Sequence, residues 1–154
     1  MNKLYVLVGV PASGKSTWVS KQDWAAECVY ISTDKLVDAQ AELVDKTYNQ
    51  VFKDFMPTAV KIMQQEVVDA REAGLDIIWD QTSCTVKSRK KKFHMLPGYH
   101  AVAVVFKTPE KAELARRLAN RPGKNIPEHI MKSMIDNWQE PTKEEGFREI
   151  WYAA

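Results

Sequence analysis

The stretch G-V-P-A-S-G-K-S at residues 9–16 decides the interpretation of this chain. It matches the pattern G-x-x-x-x-G-K-[ST] without a mismatch, and a β-rich run at residues 4–8 comes directly before it. The glycines of such a loop let backbone N–H groups turn inward around a phosphate. The helix that follows adds unpaired N–H groups and a partial positive charge. The stretch therefore predicts a loop that binds a nucleoside triphosphate.

The side chains of this loop have separate expected roles. Lys15 is expected to bridge the β- and γ-phosphates and to stabilise charge as the γ-phosphoryl group departs, and the Ser16 hydroxyl is placed to coordinate Mg²⁺. The motif alone leaves open a kinase, a hydrolase and a regulatory switch. The residues of this segment that we expect to contact the nucleotide are Gly9, Pro11, Ala12, Ser13, Gly14, Lys15, Ser16 and Thr17.

Strand and helix signals alternate along the chain outside the loop. This alternation predicts an α/β fold with a parallel sheet of four to five strands and helices on both faces. Pro57 is expected to split residues 35–73 into two helices, because proline removes a hydrogen bond from a helix interior. The strands are predicted at residues 4–8, 28–31, 75–79 and 101–106, and the other helices at about 15–21, 86–94, 109–120 and 128–139.

The bulk composition is that of an ordinary globular chain. The 154 residues are 45% hydrophobic and 27% charged, which predicts a single domain over residues 1–154. No apolar run approaches the ~20 residues of a membrane span, so we expect no membrane partner and, by default, a cytoplasmic location. Cys28 and Cys84 lie far apart and are interpreted as free, partly buried thiols.

Two aspartates follow predicted strands. Asp34 and Asp80 should lie with Gly9 along one edge of the sheet, because ligands of parallel sheets bind at the carboxyl ends of the strands. Asp34 is expected to orient an acceptor hydroxyl and take its proton, and the alternative is that it caps the next helix. Asp80 is expected to hold the magnesium shell or an acceptor-contacting residue, and the alternative is a turn-forming aspartate.

Arginines cluster near the predicted loop at residues 121–125. Arg117 and Arg121 are four residues apart and share a face of a continuous helix, and Arg116 lies beside them. Gly123 and the flanking prolines favour a lid whose arginines neutralise transition-state charge. The alternative is a solvated helix face with a surface pair such as Glu113 with Arg117.

The densest cationic cluster begins a few residues after Asp80. Positive charge in the first turns of a helix opposes the helix dipole, so this cluster indicates an anionic partner such as a nucleic-acid backbone. A solvated helix face is the alternative, and the net charge of +2 is too small to decide. With Asp34 and Asp80, we expect Lys87, Arg89 and Lys90 to contact the acceptor. The cluster comprises Lys87, Arg89, Lys90, Lys91 and Lys92.

Over nearly its whole length the chain resembles the 5′-kinase domain of phage polynucleotide kinases of the T-even type. That domain is one of a group of small P-loop kinases that includes zeta-toxin-like proteins. The likeness begins at residues 9–18, where Pro11 and Trp18 also look alike. It continues through Asp34, Asp80 and the arginine pair, with Lys124 and residues 126–127 beyond.

The resemblance implies a three-layer P-loop kinase fold with an arginine-bearing lid. It implies transfer of the γ-phosphoryl group of ATP to a polynucleotide hydroxyl, with ATP and Mg²⁺ as cofactors. It implies that Asp34 is the general base on a 5′-hydroxyl and that Asp80 lies in the active site. It also implies that Arg117 and Arg121 contact the phosphates of ATP. Lys15, Asp34 and Arg121 are then the expected catalytic residues, and DNA or RNA is the expected partner.

One position departs from the family pattern. The family commonly has an arginine three or four residues after the base, which holds the acceptor's phosphate, and this chain has Val37 and Asp38 there. Acceptor recognition must therefore differ. One alternative is that the basic cluster contacts the acceptor's phosphate instead. The other is that the acceptor is a different hydroxyl, carried by a modified base of phage DNA, by a nucleoside or by a small metabolite. A nucleotide-binding regulatory protein without an acceptor is the alternative of another class. No phosphatase activity is expected, because we see no second domain.

Overall fold

The computed structural model describes residues 1–153, which form a five-stranded sheet with the order β2-β3-β1-β4-β5. Every neighbouring pair of strands is parallel. Because β1 is the central strand, the loop that follows it lies in the middle of the carboxyl edge, where parallel sheets bind ligands. The strands are β1 (Lys3–Val8), β2 (Val29–Ile31), β3 (Ile77–Asp80), β4 (His100–Val105) and β5 (Glu149–Tyr152).

Helices cover both faces of the sheet, and the alternation of side chains along β1 shows why. Leu4, Val6 and Val8 pack in the cluster that includes Met63 and Val67. Tyr5 and Leu7 point to the other face, as the two-residue period of a strand requires. The helices are α1 (Lys15–Ser20), α2 (Thr33–Leu43), α3 (Tyr48–Glu72), α4 (Val86–Met95), α5 (Lys111–Ala119) and α6 (Glu128–Asp136). The predicted α/β fold class is thus confirmed.

The expectation that Pro57 ends a helix is wrong. Helix α3 continues through Pro57, and the break in the predicted helical segment comes earlier, at residues 44–47. A capping box starts α3 there, since the Thr47 side chain accepts from the backbone N–H of Gln50 and the Gln50 side chain accepts from that of Thr47. The buried face of α3 downstream of Pro57 offsets the interior proline, which costs a helix about 3 kcal/mol. That face comprises Ala59, Met63, Val67 and Ala70.

Smaller differences concern the ends of elements. Strand β3 begins at Ile77 rather than at residue 75, and Asp80 is its last residue rather than the residue after it. The C-terminal tail, where no strand was predicted, forms β5 beside β4. Cys28 and Cys84 are free, as predicted. Within residues 1–153, no helix combines the length and apolar character needed to cross a bilayer.

Candidate active site

The loop between β1 and α1 winds back tightly over the end of β1. A Cβ atom added at Gly9 would lie 2.5 Å from Ser13 Oγ and 3.0 Å from Phe106 Cβ, so a larger residue there would force its neighbours to move. Gly14 has φ +99°, a left-handed conformation that glycine adopts without strain. Ala12 adopts φ 65°, which costs a non-glycine residue about 1 kcal/mol. Strained backbone of this kind is found where a loop is shaped for a ligand, here a phosphate.

Lys15 extends from the first turn of α1 back over this loop. Its Nζ donates to the carbonyl oxygens of Gly9, at 2.9 Å, and Val10, at 3.0 Å. Burial lowers the pKa of Lys15, and the negative charge of Asp80 acts in the opposite direction. The fold therefore holds one partly buried cation directly at this loop, residues 9–16, which we call the phosphate-type loop.

The two predicted aspartates lie at the carboxyl edge, and each accepts a hydrogen bond from a tyrosine. Asp80 Oδ2 accepts from the hydroxyl of Tyr30 on β2. Burial raises the pKa of Asp80, against the opposing effects of that hydrogen bond and of the Lys15 charge. Asp34 Oδ1 accepts from the hydroxyl of Tyr48 at 2.6 Å.

Asp34 lies in the first turn of α2 but does not cap the helix. The N-cap residue is Ser32, whose Oγ accepts from the backbone N–H of Lys35 at 3.2 Å. The capping interpretation of Asp34 is therefore wrong. Its exposed carboxylate is available to the cleft.

One cleft of about 1200 Å³ brings together most of the residues expected from sequence. It runs from the phosphate-type loop, past the two aspartates, to the arginine segment, which we define as residues 116–125. This shared lining agrees with the rule that placed these groups along one edge of the sheet. The expected residues that line it are Pro11, Ala12, Ser13, Gly14, Lys15, Ser16, Thr17, Asp34, Asp80, Arg117 and Arg121.

Arg117 connects the arginine segment to the loop. Its Nη1 donates to the carbonyl oxygen of Ala12 at 3.1 Å, while its Nε donates to Glu113 at 2.8 Å. Hydrogen bonds from Arg116 and Arg117 lower the pKa of Glu113 to about 2. The surface pair of the alternative interpretation thus exists, and the same guanidinium also reaches the loop.

Arg121 lines the cleft and carries a buried, unpaired group. Its Nη1 atom is buried and has no hydrogen-bond partner among residues 1–153. A buried donor without a partner costs about 1–3 kcal/mol, more when the group is charged. An anionic ligand in the cleft would satisfy this nitrogen.

We define the lid loop as residues 121–125, and it is docked against the start of α3. The backbone N–H of Asn49 donates to the carbonyl oxygen of Gly123 at 2.9 Å. Two further hydrogen bonds, at 3.2 and 3.0 Å, join Asn49 and Asn125. Lys124 Nζ pairs with Asp38 Oδ2 at 2.7 Å. The arginine segment therefore reaches across the cleft to α2 and α3.

Arg89 is a correction to the predicted acceptor site. It is fully buried, and its Nε and Nη2 donate to the Glu145 carboxylate at 2.6 and 3.1 Å. Its Nη1 donates to the carbonyl oxygen of Ser83 at 2.8 Å, and its Nη2 also donates to that of Gln139 at 2.9 Å. Every guanidinium nitrogen is thus used inside the fold: Nε and Nη2 hold the chain around residues 139–145 against α4, and Nη1 holds the turn at Ser83. Counting charge could not detect this, because Arg89 is on the inward face of the helix.

The rest of the basic cluster divides between the interior and the surface. Lys92 is buried, with Nζ 5.1 Å from the centroid of the Trp79 ring, and burial lowers its pKa to about 8. Lys87, Lys90 and Lys91 are exposed. Lys87 and Lys90, expected to contact the acceptor, lie on α4 outside the residues that line the cleft.

The residues expected to hold magnesium fit a phosphate-bound ion better than a site made by protein alone. Within residues 1–153 there is no group of three His, Cys, Asp or Glu side chains arranged to hold a metal. Mg²⁺ usually takes one or two protein ligands and completes its shell with phosphate oxygens and water. The Ser16 hydroxyl and the Asp80 carboxylate, both in the cleft lining, provide such a donor set.

Sequence reasoning missed the two tyrosines of the site. Tyr30 and Tyr48 are 50 and 14 residues away from the aspartates to which they donate. Tyr30 lies in the predicted second strand and Tyr48 directly follows the helix cap Thr47, but neither position identifies a carboxylate partner. The Asp38–Lys124 pair, 86 residues apart, was not predicted either.

The sheet order, the phosphate-type loop on the central strand and the arginine segment across the cleft define a P-loop kinase-like fold. The chain belongs to the AAA domain family, whose model matches residues 4–141.

A curated relative and two solved structures resemble the chain over most of its length. The bifunctional polynucleotide phosphatase/kinase of Schizosaccharomyces pombe is 26% identical over 153 residues, which are 96% of this chain and 32% of the relative. The chain thus spans about a third of the length of that relative. A putative kinase from Chloroflexus aurantiacus has a TM-score of 0.72 at 13% identity, covering 99% of this chain and 84% of its own. A chain of the Pnkp1/Rnl/Hen1 RNA repair complex has a TM-score of 0.66 at 23% identity, covering 88% of this chain and 43% of its own. Both structures support the fold.

Proposed function

We propose that this protein is an ATP- and Mg²⁺-dependent kinase that transfers the γ-phosphoryl group to a polynucleotide hydroxyl, at the 5′ end of the strand. The observation that carries the proposal is the buried, unpaired Nη1 of Arg121, a residue that lines the same cleft as Lys15 and Asp34. Two cations and a carboxylate in one cleft are the groups that phosphoryl transfer to a hydroxyl requires.

The donor half of the proposed site is formed by the phosphate-type loop and the arginine segment. Lys15 leaves the carbonyl oxygens of Gly9 and Val10 to contact the β- and γ-phosphates, and Arg121 satisfies its free Nη1 with a γ-phosphate oxygen. Arg117 holds the segment on the loop through Ala12. Ser16 and Asp80 would hold Mg²⁺, which would supply charge neutralisation at the phosphates.

The acceptor half is centred on Asp34. As the acceptor oxygen forms its bond to the γ-phosphorus, its proton passes to the Asp34 carboxylate, and the bond from the γ-phosphorus to the bridging oxygen of ADP breaks. The exposed carboxylate of Asp34 on the cleft side of α2 suits this role.

Several observations support a polynucleotide acceptor. The Schizosaccharomyces pombe relative is named a polynucleotide phosphatase/kinase, and the likeness to T-even kinase domains stated from sequence agrees with that name. Lys87, Lys90 and Lys91 form an exposed basic surface on α4 that suits a phosphate backbone. On this proposal residues 1–154 are one kinase domain, acting in the cytoplasm.

A second candidate acceptor is a small hydroxyl compound or a nucleoside, and Asp38 favours it. The Asp38 carboxylate lies in the cleft lining, where the sequence resemblance has an arginine, and it pairs with Lys124 at 2.7 Å. A carboxylate repels an acceptor phosphate that an arginine would attract.

Incubation of the protein with γ-labelled ATP and a panel of acceptors tests the proposal. The panel contains 5′-hydroxyl DNA and RNA strands, DNA with hydroxylated bases, nucleosides and small polyols. We expect label on the 5′-hydroxyl strands. Label on nucleosides or polyols alone would select the second candidate. Tight ATP binding with no transfer to any acceptor would favour a regulatory nucleotide-binding protein.

The exposed part of the basic cluster has its own test. Replacing Lys87, Lys90 and Lys91 with glutamine should weaken binding of a single strand and flatten its salt dependence. Each lost phosphate contact removes about 0.7 from the slope of log K against log salt. Binding is measured by fluorescence anisotropy from low to high salt. Glutamines at three exposed lysines outside α4, Lys3, Lys53 and Lys61, are the matched control. An equal slope in both triple variants would make α4 an ordinary solvated face.

A further inference from the structure

We propose that Tyr48 is a positioning residue for Asp34 and that the docked lid loop holds Tyr48 in place. The acceptor side of the cleft is then complete only while the lid loop lies against α3. This inference rests on the proposed function, since it concerns the base of that reaction. It depends on contacts that lie outside the phosphate-type loop.

The contact between Tyr48 and Asp34 has a fixed polarity. The Tyr48 hydroxyl donates to Asp34 Oδ1 at 2.6 Å. Burial and this hydrogen bond raise the pKa of Tyr48, so the hydroxyl stays protonated and keeps the hydrogen that it donates to the carboxylate. Asp34 Oδ2 makes no hydrogen bond to another group within residues 1–153. The tyrosine therefore orients the carboxylate through one oxygen and leaves the other to receive the acceptor's proton.

Tyr48 is itself held at the start of α3. It directly follows Thr47, the N-cap residue, whose side chain accepts from the backbone N–H of Gln50 at 3.2 Å. Its ring packs against Phe52, with 5.5 Å between centroids, and Lys124 Nζ lies 4.9 Å from the ring centroid. A cation over an aromatic face restrains the ring, so Lys124 of the lid loop contributes to the position of the hydroxyl.

The lid loop is fitted closely to this part of α3. A Cβ added at Gly123 would lie 2.7 Å from Thr47 Cβ, so only a glycine backbone approaches the cap so closely. Lys124 is fixed further by its pair with Asp38, at 2.7 Å. The loop begins at Arg121, whose buried Nη1 we assign to the γ-phosphate. Docking of the lid loop therefore places Arg121 in the donor half of the site. The same docking places Lys124 over the ring of Tyr48 in the acceptor half.

Tyr48→Phe isolates the hydroxyl, because phenylalanine keeps the ring beneath Lys124. We expect kcat for phosphoryl transfer to fall roughly ten- to hundredfold, the effect of losing one hydrogen bond to a charged group, with KM for ATP unchanged. Tyr99→Phe is the matched control, because the Tyr99 hydroxyl donates to the carbonyl oxygen of Leu75 at 2.9 Å outside the cleft lining. The control should keep the wild-type kcat.

Lys124→Met tests the contribution of the lid loop, since methionine keeps a linear stem without the charge. We expect kcat to fall, and we expect the double variant with Tyr48→Phe to lose less than the product of the two single losses, because both act through Asp34. Losses that multiply would overturn the role of the lid loop. If the wild type transfers the phosphoryl group and Tyr48→Phe has the same kcat, the positioning role of Tyr48 is overturned. The proposed function would still stand. Absence of transfer by the wild type to every acceptor would overturn the proposed function, and this inference with it.

Discussion

Asp34→Asn is expected to abolish most phosphoryl transfer while ATP still binds. Asparagine keeps the size of the side chain and an oxygen that accepts from Tyr48, but it cannot take a proton. A positioned general base contributes about 10²–10⁴-fold, so we expect kcat to fall by that factor. The affinity for ATP, measured by calorimetry, should change little, because the proposed phosphate contacts are made by Lys15, Arg121 and the loop rather than by Asp34.

The fold should tolerate the change. Asp34 is exposed, and Ser32 rather than Asp34 caps α2. Loss of a negative charge in the first turn of a helix costs about 0.3–1 kcal/mol, far less than the stability of a domain. Asp69→Asn is the matched control, because Asp69 is an exposed carboxylate that accepts one hydrogen bond, from Gln65 at 2.8 Å, outside the cleft lining. A large loss of ATP affinity in Asp34→Asn would instead assign Asp34 a metal-binding or structural role.

The parts of this protein that sequence predicted well depend on local patterns. The apolar run that became β1 and the phosphate-type loop after it were both readable, because the loop chemistry is set by residues close in sequence. The carboxyl-edge rule then placed Asp34 and Asp80 in one cleft without knowledge of any long-range contact.

The parts that sequence did not predict depend on distant partners. Pro57 was expected to end a helix, but packing of α3 on the sheet and the cap at Thr47 determine where that helix begins. Arg89 was counted with its charged neighbours, but its partner Glu145 is 56 residues away. The Arg89–Glu145 partnership leaves no local signal, because it forms when the tail folds back. The start of α3 did leave one, the capping box at residues 47–50, but the burial that carries the helix through Pro57 arises only when α3 meets the sheet.

Arg121→Lys is expected to reduce kcat on the order of 10³-fold, as loss of a transition-state arginine does in other phosphotransferases. Lysine keeps the positive charge but not the planar fork that holds two phosphate oxygens at once. The effect should fall on kcat, measured by rapid-quench transfer of γ-label, more than on the affinity for ATP. Arg116→Lys is the matched control, because Arg116 pairs with Glu113 and is largely exposed.

Stability separates this role of Arg121 from a structural one. In the absence of nucleotide, Nη1 is buried without a partner among the described residues, and such a donor destabilises the fold. Lysine removes that buried nitrogen, so thermal unfolding of the variant without nucleotide should occur at the wild-type temperature or above it. Stabilisation by added ATP should then be smaller than in the wild type, because the contact that satisfied the guanidinium is gone. A lower unfolding temperature with an unchanged kcat would show instead that Arg121 serves the packing of the lid loop. The combination we expect, lost activity with retained stability, is that of a side chain held unpaired for its ligand.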